Sequence, residues 1–173
     1  MKKNLVLTGM MGVGKSTIAK KLSKKLDLKF VDTDKIIEEK EKLKIKEIFK
    51  NKGENYFRKI ERTITLDILK KKNLVIALGG GAFINKSIRR EVNNGSISFW
   101  LDLSVKSILP RIKDLEKRPL LNHNNVEETM NKIYLNRKKF YNESHFRIKC
   151  NSIDIKLIVN KIATLYEDAA SKI

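Results

Sequence analysis

The stretch Gly9-Met10-Met11-Gly12-Val13-Gly14-Lys15-Ser16 meets the pattern G-x-x-x-x-G-K-[ST] in full. Glycines let the backbone turn tightly with its N–H groups facing inward, and a helix start adds the positive end of its dipole. Lys15 brings a mobile charge, and the Ser16 hydroxyl can ligate Mg²⁺. Each part answers a need of a nucleoside triphosphate, so a phosphate donor such as ATP is expected here. Two acids follow at Asp32 and Asp34, and three glycines at Gly79, Gly80 and Gly81. P-loop enzymes normally take a further Mg²⁺ contact from an aspartate at the end of another strand. The strand ending at Leu78 offers only glycine, which leaves Asp32 for the metal, directly or through water. Asp34, two residues on, can face the acceptor and take its hydroxyl proton. It also opens a helix and could cap it, and both roles can hold at once. The glycine triplet has its use in close backbone approach and exposed N–H donors; a simple loop is the alternative.

Arginine narrows the acceptor. Only eight of the 38 basic residues are arginine, so an arginine marks a place where the planar bidentate fork matters. Arg58, just off an apolar stripe, Arg118, in the long polar loop, and Arg137, on the helix beyond it, stand out by context. Any one of them alone could be a solvated surface charge.

These groups need elements to hold them. Residues 4–8 read as a buried strand, and 16–26 carry Ile18, Ala19, Leu22 and Leu26 at helical spacing. A short strand over 28–31 precedes Asp32, and a helix with Ile36 and Ile37 follows. Next come a short helix around Ile45, Ile48 and Phe49 stopped by Gly53, and a longer one over about 54–72. Residues 74–78 form a strand, 87–93 a helix, 96–101 a strand with Trp100 in the core, and 104–115 a helix. A polar segment over 116–125 leads to a long helix ending near Tyr141, a strand over 146–150, and a closing helix marked by Ile155, Ile158, Ile162 and Leu165. Strands separated by helices imply a parallel sheet covered on both faces, an α/β fold. Ligands in such sheets sit beyond the carboxyl ends of the strands, which gathers the loop at Gly9, the acids at 32 and 34 and the triplet at 79 into one site.

At 173 residues the chain suits one domain with its own core. One cysteine, Cys150, excludes an internal disulfide framework, and the start lacks the apolar run of a signal peptide. A cytoplasmic protein without a transmembrane helix is expected. The formal charge of +18 invites a nucleic-acid partner. However, lysines are spread along nearly every helix and few aromatics interleave with them, so no specific nucleic-acid site is expected. Attraction of anionic substrates is the better use of such a field. A GTPase switch is disfavoured by the lack of an Asn-Lys-x-Asp motif.

Taken together, the P-loop running to Thr17, Asp32-Thr33-Asp34, Gly53-Glu54 with Phe57-Arg58 and Glu61, Gly79-Gly80-Gly81, Arg118-Pro119-Leu120-Leu121, and Arg137 with Tyr141 four residues on resemble the shikimate kinases over essentially the whole chain. The resemblance implies transfer of the ATP γ-phosphate to the 3-hydroxyl of shikimate, on the way to chorismate and the aromatic amino acids, by a monomer. It implies a three-layer P-loop kinase fold with a five-stranded parallel sheet ordered 2-3-1-4-5, a substrate-binding region over about 33–61 and a mobile lid over about 115–125. By the same resemblance Gly12, Gly14, Lys15, Ser16 and Thr17 bind ATP, Ser16 serves Mg²⁺, beside the Asp32 already assigned to the metal, and Arg111 lies against adenine. Asp34 would contact the acceptor hydroxyls and Arg58 and Arg137 its carboxylate, with Gly79, Gly80 and Gly81 closing on the ring. Arg118 would reach the transferred phosphate from the lid. The chain departs from the family at Lys42, where glycine is usual, at Lys139, where proline is common, and at Ser144-His145, where a small apolar pair is usual. His123 and His145 have no metal or base partner at ligand spacing and are expected to be solvated or locally hydrogen-bonded. A nucleotide or gluconate kinase of the same architecture is the nearest rival reading.

Overall fold

The computed structural model describes residues 2–112, 119–121, 125–151 and 153–171. Five parallel strands, β1 (Asn4–Thr8), β2 (Lys29–Asp32), β3 (Leu74–Ala77), β4 (Ser96–Asp102) and β5 (Phe146–Lys149), pair in the order β2-β3-β1-β4-β5. β1, β3 and β4 are buried along their whole length, whereas the edge strands β2 and β5 are partly exposed. That is why β1 and β3 read as short apolar runs rather than alternating ones, whereas β4 buries Ser96 and Ser98 among its apolar residues. Trp100, 1% exposed, fills the core at β4.

Helices α1 (Lys15–Leu26) and α7 (Ile155–Ser171) pack together on one side, and α3 (Ile45–Leu69) and α4 (Lys86–Gly95) on the other, with α2 (Thr33–Glu41) against α3 and α6 (Val126–Tyr141) beside the turn after β3. Gly53, at φ 80°, breaks α3 into two helices meeting at a kink, as its place between two apolar periods predicts. Among the described residues no helix is long and apolar enough to cross a membrane.

The helix expected over 104–115 is shorter. α5 covers Val105–Ile108 and passes into a 3-10 turn at Leu109–Arg111, because Pro110 has no N–H to continue the α-helical ladder. Register aligns the strand ends: Leu7 pairs with both Ala77 and Phe99, and Asp32 with Ala77. The chain therefore leaves β1, β2 and β3 at one level of the same sheet edge, and three loops distant in sequence share one rim.

Candidate active site

Beyond Thr8 the chain turns through Gly9, Gly12 and Gly14, at φ 132°, 78° and 96°, a left-handed path closed to most other residues. α1 opens at Lys15 with no side-chain cap and no acid in its first turn, which leaves the helix dipole for an anion. The Lys15 ammonium donates to the carbonyls of Gly9 at 2.9 Å and Met10 at 2.8 Å, so its charge stays over the loop. Thr17 is exposed one residue beyond Ser16. The turn around Ile108 and Ile112 lies against Gly12, where a methyl would stand 2.8 Å from Ile108 Cγ2, and it carries an exposed Arg111 beside the loop.

Ser16 Oγ donates to Asp32 Oδ2 at 2.5 Å, while Asp32 Oδ1 accepts from the N–H groups of Asp34 at 3.1 Å and Lys35 at 3.4 Å. The cap of α2 is thus Asp32, not Asp34, because the helix begins at Thr33, two residues earlier than a cap at Asp34 would place it. Asp34 instead lines the cavity. Among the described residues no three acids, histidines or cysteines gather as a metal site. The two hard oxygens of Ser16 and Asp32 suit a Mg²⁺ whose remaining ligands are phosphate and water.

A cavity of about 520 Å³ opens beside the loop, bounded by α2, α3 on both sides of its kink at Gly53, the glycine triplet and α6. Ile45, Phe49 and Phe57 form an apolar wall, and Arg58, Arg137, Asp34 and Glu61 project from other sides. Arg58 donates through Nη1 to Glu61 Oε2 at 2.7 Å, and through Nε and Nη2 to Glu54 Oε1 at 3.2 and 3.1 Å. Burial pushes the Glu61 carboxyl above its ordinary 4.5, and Arg58 only partly draws it back. For Arg58 burial works against the charge, but Glu61 and Glu54 outweigh it and hold the guanidinium up. The asymmetry follows from exposure: Glu61 keeps 3% and Arg58 30% of its side-chain surface, so only the arginine retains water.

Arg137, 7% exposed, reaches from α6 to donate to Gly80 O at 3.1 Å, and Tyr141 one turn on donates to the same oxygen at 2.5 Å. Burial raises the Tyr141 hydroxyl above its ordinary 10 and keeps it a donor. The Gly79 N–H, expected to point at a ligand, is instead taken by Thr33 Oγ1 at 2.9 Å, which donates in turn to Ala77 O at 3.3 Å. Glycine is needed at 79 for room: a methyl would overlap Asp34 Oδ1 and stand 2.9 Å from Glu61 Oε1, and at Gly81 it would stand 2.5 Å from Arg58 Nη1.

The structure therefore brings together Lys15, Ser16, Asp32, Asp34, Arg58, Gly79, Gly80, Gly81 and Arg137. Arg118, most of the expected lid and His123 lie outside the described residues, although Pro119 and Leu120 line the cavity. Glu61, Thr33 and Tyr141, which stand in the family motifs without a role assigned to them there, also take part in the site. The i,i+3 spacing of Arg58 and Glu61 was a readable signal for the first; the other two bonds span 46 and 61 residues. His145 is bonded across the sheet rather than locally, its Nδ1 accepting from Ser98 N at 3.2 Å, and burial lowers its basicity.

A family model described as shikimate kinase matches residues 11–167. A shikimate kinase of a Sulfurihydrogenibium species is 41% identical over 162 residues, 94% of this chain and 96% of its own. The solved structure of shikimate kinase from Acinetobacter baumannii in complex with shikimate superposes with a TM-score of 0.93 at 30% identity, covering 98% of this chain and 95% of that one. A gluconokinase from Sinorhizobium meliloti, at a TM-score of 0.62 and 13% identity over 99% and 95% of the two chains, shares the fold alone. Agreement over nearly the full length, with a relative well above 30% identity, makes the chain a member of the shikimate kinase family.

Proposed function

We propose that the two halves of this site divide the work of a shikimate kinase between them, residues 9–17 holding the donor and residues from 33–61, the glycine triplet and α6 holding the acceptor. The enzyme transfers the γ-phosphate of ATP to the 3-hydroxyl of shikimate, giving shikimate 3-phosphate and ADP in aromatic biosynthesis. The observation that carries the assignment of roles is a carboxylate, Asp34, lining one cavity with two arginines at the same sheet edge as the P-loop. A hydroxylated carboxylic acid needs that set: a base at one end and planar donors at the other.

In this reading the loop N–H groups and Lys15 hold the β- and γ-phosphates, and Arg111 lies against the adenine. Asp34 takes the hydroxyl proton as the new O–P bond forms and the bond from the γ-phosphorus to the bridging oxygen of ADP breaks. Lys15 offsets the charge on the departing ADP. Arg58 and Arg137 hold the carboxylate, Arg58 fixed by Glu61 and Glu54, Arg137 by its bond to Gly80. Ser16 and Asp32 hold Mg²⁺, which when bound neutralises phosphate charge. Arg118 reaches the transferring phosphoryl group from a lid over 115–125 that closes to exclude water, and Pro119 and Leu120 at the cavity wall support that route. A monomeric enzyme working in the cytoplasm, where ATP is made, completes the reading.

ADP release from purified protein on addition of shikimate tests the reading. Turnover of gluconate or a nucleoside monophosphate with none of shikimate overturns it. Arg118→Ala lowers kcat; a loss of stability alone would make that arginine structural.

A further inference from the structure

The cations lining or flanking the acceptor cavity differ in their partners, Arg137 donating to the Gly80 carbonyl at 3.1 Å. Lys44 is paired with Glu38 at 3.1 Å, Lys52 with Glu41 at 2.8 Å, and Arg58 with Glu61 and Glu54. Lys35 and Lys46 also line the cavity, both are exposed, and neither forms an ion pair with a described residue. Their placement is built in. Lys35 stands in the first turn of α2 directly after Asp34, its N–H on the Asp32 cap. Glu38 accepts from the Ile45 N–H at 3.1 Å as well as from Lys44, which ties the start of α3 to α2 and sets Lys46 beside the opening. Beneath them lies the apolar wall of Ile45, Phe49 and Phe57. Unneutralised charge at the mouth of a cleft with low-dielectric walls concentrates field lines there and raises the local concentration of an opposite charge.

We infer that Lys35 and Lys46 form an electrostatic collar that draws the anionic acceptor into the cavity and hands its carboxylate to Arg58 and Arg137 deeper inside. This rests on the acceptor being the carboxylate proposed above. The collar acts on capture and not on transfer, so it appears in kcat/KM for shikimate and leaves kcat and the KM for ATP unchanged. Two charges about 8 Å apart in water attract enough to change an equilibrium about two- to threefold. Removing both lysines is therefore expected to cost roughly fivefold.

Lys35→Gln/Lys46→Gln is compared with wild type and with Lys24→Gln/Lys25→Gln, which removes the same net charge from the exposed face of α1. At about 0.02 M salt the collar variant loses roughly fivefold in kcat/KM for shikimate and the α1 variant nothing. Near 1 M salt, where screening acts within about 3 Å, the difference disappears. An unchanged collar variant, an equal loss in the α1 variant, or a loss that persists at high salt overturns the collar. Absence of shikimate turnover by the wild-type enzyme overturns instead the assignment of the acceptor, so the two failures are distinguishable.

Discussion

The donor and acceptor halves of the site are built by different means. Residues 9–16 form the phosphate loop almost by themselves: the chemistry lies in backbone N–H groups, the glycines that let them turn, and one lysine that bonds back to its own loop. The acceptor half draws on α2, α3, the turn after β3 and α6, and its working groups are charged side chains held by other charged or buried polar groups. A loop of backbone donors binds any polyphosphate of the right size, whereas selectivity for one small acid requires several side chains fixed from several directions. Damage on the donor side should therefore reach ATP and the chemical step together. Damage on the acceptor side should divide, with Asp34 governing kcat and the arginines governing KM.

Asp34→Asn is the strongest test of that division. Loss of a general base costs about 10²–10⁴-fold in kcat, with the KM for ATP nearly unchanged; a parallel rise in the latter would merge the two halves. Gly79→Ala comes next: its methyl displaces the Asp34 and Glu61 carboxylates, and a misplacement near 1 Å lowers kcat/KM for shikimate about 10²-fold. Thermal unfolding of that variant separates misplacement from misfolding. Arg137→Lys keeps the charge and loses the fork, so the KM for shikimate should rise roughly tenfold while ADP release with saturating shikimate stays close to wild type.

Glu61 offers a titration. Burial raises its carboxyl, so the folded protein holds this proton at a pH where the unfolded chain has released it. The stability this group contributes consequently falls as pH rises through that window. The ion pair with Arg58 behaves in the opposite sense: it weakens as pH falls through the raised value. The KM for shikimate should then climb on the acid side above the ordinary carboxylate range, and Glu61→Gln should flatten that limb. The smallest effect belongs to a position that does not line the cavity. Lys42 ends α2 at φ 55°, a left-handed conformation that strains a lysine and suits the glycine usual there in the family. Lys42→Gly should add about 0.5–1 kcal/mol of stability by denaturant titration, without altering turnover.

Much of this was legible in the sequence because its signals are local. The phosphate loop, the apolar runs of β1 and β3 and the break at Gly53 depend on near neighbours, and the 2-3-1-4-5 order implied by family resemblance is the order observed. The helix over 104–115 and the capping role open to Asp34 differ from the structure for small reasons, a proline and a two-residue shift of helix start. Arginine scarcity drew attention to Arg58 and Arg137, yet only burial distinguishes them from the solvated lysines around them.

By itself, then, the sequence determined the elements and the donor cradle, since a helix period, an apolar strand and a glycine-lysine loop are set by residues a few positions apart. Tertiary structure alone decided that Glu61 would be buried against Arg58, that Thr33 would take the Gly79 N–H and that Arg137 and Tyr141 would share one carbonyl. The same packing left Lys35 and Lys46 unpaired at the mouth among the described residues. The bonds to Gly79 and Gly80 join elements dozens of residues apart, and Arg58 and Glu61, only three residues apart, owe their burial to the same packing at the rim where three strand ends meet.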